Sequence, residues 1–291
     1  MKFAFYPGCS LESSATEYRA STELVARTLG IELEEIPGWI CCGSTPVHMS
    51  DKLLGIALPA DSLLQAERMK TDGVLVSCAS CYSRLKAANH AIKTNERIRH
   101  EVGQALGVDY QGNVPVYHML EIAAKAATGP DFEAKIKRKL KGLKVASYYG
   151  CLLVRPPEIT GFDDPEDPQS LDRIVAALGA EPIKWRSKVE CCGAALAFTH
   201  ADIVLKLSGE ILEDAKDSGA DVVVAACPLC HSNLDLRQRS IEKYLGVDLE
   251  VPVLYFTQLL GLAFGYSAGQ LGLGKHMVSP VPVLKRRGIH V

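Results

Sequence analysis

The sequence predicts an α/β protein made of two similar duplicated domains. Each is a small parallel sheet flanked by helices, with cysteine ligands at the carboxyl ends of the strands. Three observations carry this. All ten cysteines fall into two sets of five, Cys9, Cys41, Cys42, Cys78 and Cys81, then Cys151, Cys191, Cys192, Cys227 and Cys230. Gly30 and Gly179 lie 149 residues apart, as do the two Cys-x-x-Cys motifs, and the two Cys-Cys-Gly triplets lie 150 apart. Such positional repetition marks an internal duplication. Short apolar runs also alternate with helical periodicity in both halves, the pattern of strand–helix–strand units with right-handed crossovers.

Taken in order, residues 2–6 (KFAFY) read as a first strand ending at Pro7-Gly8-Cys9. Glu17 to Leu29 has helical spacing and stops at Gly30, a C-terminal cap. Ile31 to Ile36 alternates apolar and acidic residues like a half-buried strand, and Pro37-Gly38 turns the chain toward Cys41. Residues 51–70 are helical, and Gly73 to Ser77 is a strand running into Cys78-Ala79-Ser80-Cys81. A helix from about Tyr82 follows, then a fourth strand, Val114 to Tyr117, leads to His118. The second half replays this with strands at Leu143–Tyr149, Glu181–Trp185, Asp221–Ala226 and Val251–Tyr255, and a helix at Leu171–Leu178. The expected division is a first domain over 1–140, a second over 141–265 and a C-terminal arm over 266–291. The basic run Lys135–Lys144 is the joint between halves and a solvated face.

The length of 291 residues suits two ordinary domains, and 47% hydrophobic with 23% charged residues describes a soluble globular protein. A net charge of −2 leaves no basic field for nucleic acid or an anionic membrane. The amino terminus reaches Gly8 and Cys9 too soon for the apolar core of a signal peptide. A cytoplasmic location follows, where thiols stay reduced and serve metals or redox chemistry. Val251 to Gly274 has no charged residue and is long enough to span a bilayer. Its Pro252, its glycines and its strand-like start predict a buried strand and a docked apolar helix, with no membrane span.

Four readings of the thiols compete. Structural disulfides fit the even count but require an oxidising compartment. A tetrahedral zinc site uses four ligands, whereas each half offers five, two of them adjacent. Cys227-Pro228-Leu229-Cys230-His231 matches the covalent haem motif, but Tyr82 stands at the equivalent of His231 and three further thiols go unused. Iron–sulfur centres are held by thiolates, and a fifth thiol per site asks for an unusual cluster. Each Cys-x-x-Cys also opens a helix, whose amino end favours thiolate.

The doubled pattern resembles the tandem CCG-domain proteins, in particular those like the B-type subunit of heterodisulfide reductase. The likeness includes the acidic loop Arg155 to Pro168, the run Cys-Pro-Leu-Cys-His-Ser-Asn-Leu-Asp at 227–235 and Thr257 to Gly261. The resemblance implies two non-cubane [4Fe–4S] clusters, one per five-cysteine set, facing each other across a cleft where a disulfide is cleaved or formed. It implies as partners a ferredoxin-like iron–sulfur subunit and a flavin subunit. The substrate would be the coenzyme M–coenzyme B disulfide or a lipoyl carrier protein. The chain has no G-x-G-x-x-G after a strand and no P-loop, so its electrons would pass through a partner. The alternative role is an electron-transfer subunit of a glycolate- or lactate-oxidising complex or of a thiol:fumarate reductase. A zinc-bound scaffold is the non-enzymatic alternative.

Among other residues, His231 and His118 are the candidate catalytic groups, His231 beside a presumed ligand and His118 at the same sheet edge. His48 and His200 follow the two cysteine pairs and could reach the cleft. Lys275, His276, Lys285, Arg286 and Arg287 lie in the arm, as a surface tail or as a docking element. Trp39 and Trp185 precede the cysteine pairs and are expected to shield the centres by packing.

Overall fold

A computed structural model describes residues 1–291 apart from Thr45. The first half contains β1 (Lys2–Tyr6), α1 (Gly8–Glu12), α2 (Thr16–Thr28), β2 (Glu32–Glu35), α3 (Pro46–Ser50) and α4 (Leu54–Arg68). It continues with β3 (Val74–Val76), α5 (Ala79–Thr94), α6 (Glu96–Leu106), β4 (Val116–His118), α7 (Met119–Ala127) and α8 (Phe132–Lys135). The second half contains β5 (Lys144–Tyr148), α9 (Pro157–Thr160), α10 (Ser170–Ala177), β6 (Glu181–Pro182), α11 (Ala201–Asp217) and β7 (Val222–Ala225). After it come α12 (Pro228–His231), α13 (Gln238–Leu245), β8 (Val253–Tyr255), α14 (Phe256–Ala263) and α15 (Val281–Arg286).

Two four-stranded sheets result, ordered β2-β1-β3-β4 and β6-β5-β7-β8, with every pair parallel. The central strands read VLV and VVVA and are wholly buried, as strands covered by helices on both faces must be. The outer strand β2 keeps Glu32 and Glu34 in water, where Lys2 pairs with both. β6 is shorter than the expected 181–185; Glu181 and Ile183 donate to Leu143 O and Val145 O, and Pro182 is tolerated between them because its nitrogen faces the open edge of the sheet. In α11, Gly209 lets α13 approach closely, since a Cβ there would meet Leu245 Cδ1 at 2.3 Å.

The halves interlock by exchanging helices. α7, which follows β4, packs on α10 of the second half, and α14, which follows β8, packs on α2 of the first. At the latter contact Tyr18 stacks on Tyr255 with centroids 4.0 Å apart, and the Ser21 and Thr257 hydroxyls lie 2.7 Å apart. No helix among the described residues is long and apolar enough to cross a membrane, and the uncharged stretch after Val251 forms β8 and α14.

The expected surface tail is corrected. Leu271, Leu273, Val283, Leu284 and Ile289 are buried, and Arg287 forks onto Asp221 at 2.7 and 2.9 Å. His276 is buried as well, whereas Lys285 and Arg286 stay exposed. The missing periodicity reflects a segment that packs through irregular turns rather than one that packs nowhere.

Candidate metal and redox site

In each half the cysteines follow the first three strands, so the topology delivers them to the carboxyl edge. That edge, at the switch between β1 and β3 or β5 and β7, is where open parallel sheets form ligand sites. Cys42, Cys78 and Cys81 are buried while Cys9 and Cys41 reach the surface. The second set repeats this, with Cys192, Cys227 and Cys230 buried, Cys191 exposed and Cys151 between. All ten are free thiols. Cys42 Sγ lies 3.4 Å from Cys81 Sγ, and Cys192 Sγ lies 3.5 Å from Cys230 Sγ.

So many thiols in one place compete for protons. Hydrogen bonds with Cys41 and Cys81, aided by the Ser44 amide, hold the Cys42 thiol well below its ordinary range. Cys41 is correspondingly pushed up by its bond to Cys42. In the second set the Cys151 thiol pulls Cys191 down to about 6. The two sets also adjoin, because Tyr18 Oη lies 2.7 Å from Ser77 O and 3.4 Å from Ala226 O, the carbonyls directly before Cys78 and Cys227. Cys227 is held low by Cys230, by Cys78 and by the amides of Leu229 and Cys230.

Two matched pairs of residues to which the sequence reading gives no role build these sites. Tyr6 Oη donates to Ile40 O at 2.6 Å, and Tyr148 Oη donates to Glu190 O at 2.7 Å. Each tyrosine thereby grips the residue before its cysteine pair. Gly8 and Gly150, with φ of 70° and 67°, precede the first cysteine of each set. A Cβ would come within 3.0 Å of Cys81 Sγ or 3.1 Å of Cys230 Sγ. The signal that could have found them is the repeat Tyr6-Pro7-Gly8-Cys9 and Tyr148-Tyr149-Gly150-Cys151. Trp39 and Trp185 lie against these same tyrosines, with centroids 5.4 and 6.2 Å apart.

His118 and His231 are both buried near the line where the sets meet. His118 Nε2 lies 2.9 Å from Ser77 O and its Nδ1 accepts from Leu120 N–H, so it ties α7 to the residue before Cys78. Tyr18 Oη donates to the same carbonyl at 2.7 Å. His231 Nε2 lies 3.0 Å from Val253 O and 2.9 Å from His276 Nδ1. His48 sits on α3, and His200 is exposed.

His231, Asp235 and His276 offer ligand atoms within 4.8 Å of one another. Gln258 decides what they are. Its Oε1 accepts from Tyr255 N–H, and its Nε2 donates to Leu271 O and to His276 Nε2. Both ring nitrogens of His276 are thus engaged within the protein, Nε2 by the Gln258 amide and Nδ1 by His231. The trio is a strut that fastens the C-terminal segment, with Asp235 accepting from Met277 N–H and Val278 N–H. Burial raises the Asp235 carboxyl from 3.8 to about 6, those amides pulling the other way. The folded chain thus holds this proton more tightly than the unfolded one. The resulting stability is full below about pH 3.8 and is lost as pH rises through about 6, an effect of at most about 3 kcal/mol. Urea denaturation of metal-free Asp235→Asn should show a flatter pH dependence across that window; an unchanged slope would assign the titration to another group.

A cavity of about 410 Å³ opens beside Cys191 between Arg186, Glu190, Leu207 and Glu210. A second, of about 260 Å³, lies between the start of α2 and α12 against Ser13, Glu17, Pro228, His231 and Lys275. Met49 and Phe198, 149 residues apart, are 75% and 98% exposed beyond the two cysteine pairs.

Fold and thiols together define a duplicated α/β module that gathers two equivalent cysteine sets at adjoining sheet edges. The cysteine-rich CCG domain model matches residues 3–86 and again 145–235, and the chain belongs to that family. It is 35% identical over 278 residues to the 8-methylmenaquinol:fumarate reductase membrane anchor subunit of Wolinella succinogenes, covering 95% of this chain and 97% of that protein. It is 32% identical to the B-type subunit of the ferredoxin:CoB-CoM heterodisulfide reductase of Methanosarcina mazei, covering 98% and 96%. A protein of Archaeoglobus profundus, described as like the same heterodisulfide reductase subunit, is 30% identical, with 91% of both chains covered. Among solved structures, a hypothetical protein from Helicobacter pylori aligns with a TM-score of 0.79 at 14% identity. It covers 96% of this chain, which spans 52% of that one, and the likeness shows the fold.

Proposed function

We propose that this chain is an oxidoreductase subunit that reduces, or reversibly forms, a disulfide, using two iron–sulfur centres and exchanging electrons with partner subunits. The observation that carries this is the meeting of two five-thiol sets at the seam of the halves, where Tyr18 Oη reaches both Ser77 O and Ala226 O, the carbonyls before Cys78 and Cys227. The donor set fits such a group. Ten thiols without a cystine, several already sharing protons, suit a soft cation that displaces those protons. A tetrahedral zinc would leave one thiol of each five unused, so the count favours a larger, non-cubane [4Fe–4S] centre. Cys9, Cys41, Cys42, Cys78 and Cys81 would hold one, and Cys151, Cys191, Cys192, Cys227 and Cys230 the other. When bound, the two centres supply one-electron steps and an iron site for sulfur.

The chain itself supplies the frame. Tyr6 and Tyr148 fix the cysteine-pair loops, while Tyr18 and His118 fix the carbonyl before Cys78. His118, with both ring nitrogens on backbone partners, serves here as a positioning residue; His231 beside the smaller cavity is the candidate for proton delivery to a released thiolate. The exposed edges at Cys9, Cys41 and Cys191, with Met49 and Phe198 nearby, suit entry of substrate and docking of an electron-carrying subunit. The names of the relatives, which include heterodisulfide reductase subunits, support the same reading.

The second reading is an electron-transfer subunit of a fumarate reductase-type complex, favoured by the 35% identity to the Wolinella protein. Turnover separates them. Anaerobically purified protein given an artificial reductant should consume a lipoamide-type or coenzyme M–coenzyme B disulfide. Reduction of the protein without any disulfide consumption would leave the second reading standing.

A further inference from the structure

We propose that Asn233, oriented by Arg237, is a positioning residue of the second centre, giving the Cys192 sulfur a hydrogen bond that favours uptake of an electron there. This rests on the iron–sulfur reading above.

The partners fix which way round the amide sits. Asn233 and Cys192 are both buried, and Asn233 Nδ2 lies 3.0 Å from Cys192 O and 3.6 Å from Cys192 Sγ. Its Oδ1 accepts from Arg237 Nε at 3.2 Å. A guanidinium has no acceptor and a backbone carbonyl no proton, so the reversed amide would face a donor with a donor and an acceptor with an acceptor. The two protons of Nδ2 are thereby divided between the carbonyl and the sulfur of one cysteine.

Local winding brings these groups together. Ser232–Leu236 forms a single π-helical turn between α12 and α13, a departure from α geometry that recurs at functional sites. Asn233 and Arg237 lie four residues apart across it. Asp235, inside the turn, accepts from Met277 N–H at 2.7 Å and Val278 N–H at 3.1 Å, so the C-terminal segment braces it. Ser208 Oγ donates to the same Cys192 carbonyl at 3.1 Å. What Asn233 adds beyond Ser208 is the bond to sulfur. An electron arriving from a partner subunit leaves a thiolate-bound centre more negative, and an N–H aimed at a ligand sulfur stabilises that state. The amide keeps its proton throughout.

The test is an EPR-monitored redox titration of anaerobically purified protein, with iron measured on each sample. The potential missing from Cys192→Ser identifies the second centre. Asn233→Leu, similar in size but without a donor, should lower that potential alone, by about the 59 mV that a tenfold change in a one-electron equilibrium represents. Asn233→Asp keeps the shape and the Arg237 partner but offers no N–H, and should lower it at least as far. A glutamine carries Nε2 at the same depth as an arginine Nε, so Arg237→Gln should keep the wild-type potential and Arg237→Leu should lower it. Ser208→Ala, which loses only a bond to the carbonyl, should leave both potentials in place. Unchanged potentials in iron-loaded Asn233→Leu and Asn233→Asp, or an equal fall in Ser208→Ala, would overturn the inference while leaving the clusters standing. An equal fall in Arg237→Gln and Arg237→Leu would overturn the orienting part given to Arg237. Protein without iron would instead overturn the cluster reading itself. If Asn233→Leu fails to load iron, Asn233→Asp and Arg237→Leu decide the matter.

Discussion

Anaerobically purified Cys42→Ser should carry about half the iron of the wild type, which for two [4Fe–4S] centres is about eight per chain. Cys42 is 1% exposed and lies 3.4 Å from Cys81 Sγ, so no water or surface group can replace its sulfur. Its neighbours also hold its thiol well below the ordinary range, and a serine hydroxyl has no comparable tendency to ionise or to bind iron. Cys192→Ser should remove the other half, since Cys192 is equally enclosed, 3.5 Å from Cys230 Sγ. Iron and sulfide assays on both variants check this. Full iron in either one would show that the ligand set has been misassigned.

Gly8→Ala and Gly150→Ala should each empty their own set without touching a ligand. Two effects combine. A left-handed backbone costs an alanine about 1–2 kcal/mol, and the new Cβ would press on Cys81 Sγ or Cys230 Sγ from 3.0 or 3.1 Å. Gly30→Ala separates the two effects, because Gly30 has φ of 72° but nothing within 4 Å of its would-be Cβ. That control should lose stability to denaturant by a similar backbone cost and keep its iron. Equal iron in Gly8→Ala and Gly30→Ala would mean that the approach to Cys81 does not matter to the site.

The cysteine sets and the doubled sheet were legible because both rest on spacing. Strand period, helix period and the position of each cysteine after its strand are local properties, and the 149-residue repeat checked one half against the other. Less legible were features that depend on what a residue meets. Gly209 looks like a helix breaker until α13 is seen against it. The segment after Tyr266 has no period, yet its leucines and His276 are buried. His276 became a partner of His231 only through a chain reversal no local rule announces.

From the amino-acid order alone come the α/β class, the duplication, the ten thiols and their delivery to the carboxyl edges of parallel strands. Those follow from periodicity and crossover handedness, which neighbouring residues dictate. The tertiary structure alone decided that α7 and α14 change sides, that the two sets adjoin at Tyr18, and that Tyr6 and Tyr148 clasp the cysteine loops. The reason is physical: a sequence pattern records which face of an element is apolar, while the partner for that face is chosen by packing among all the elements at once.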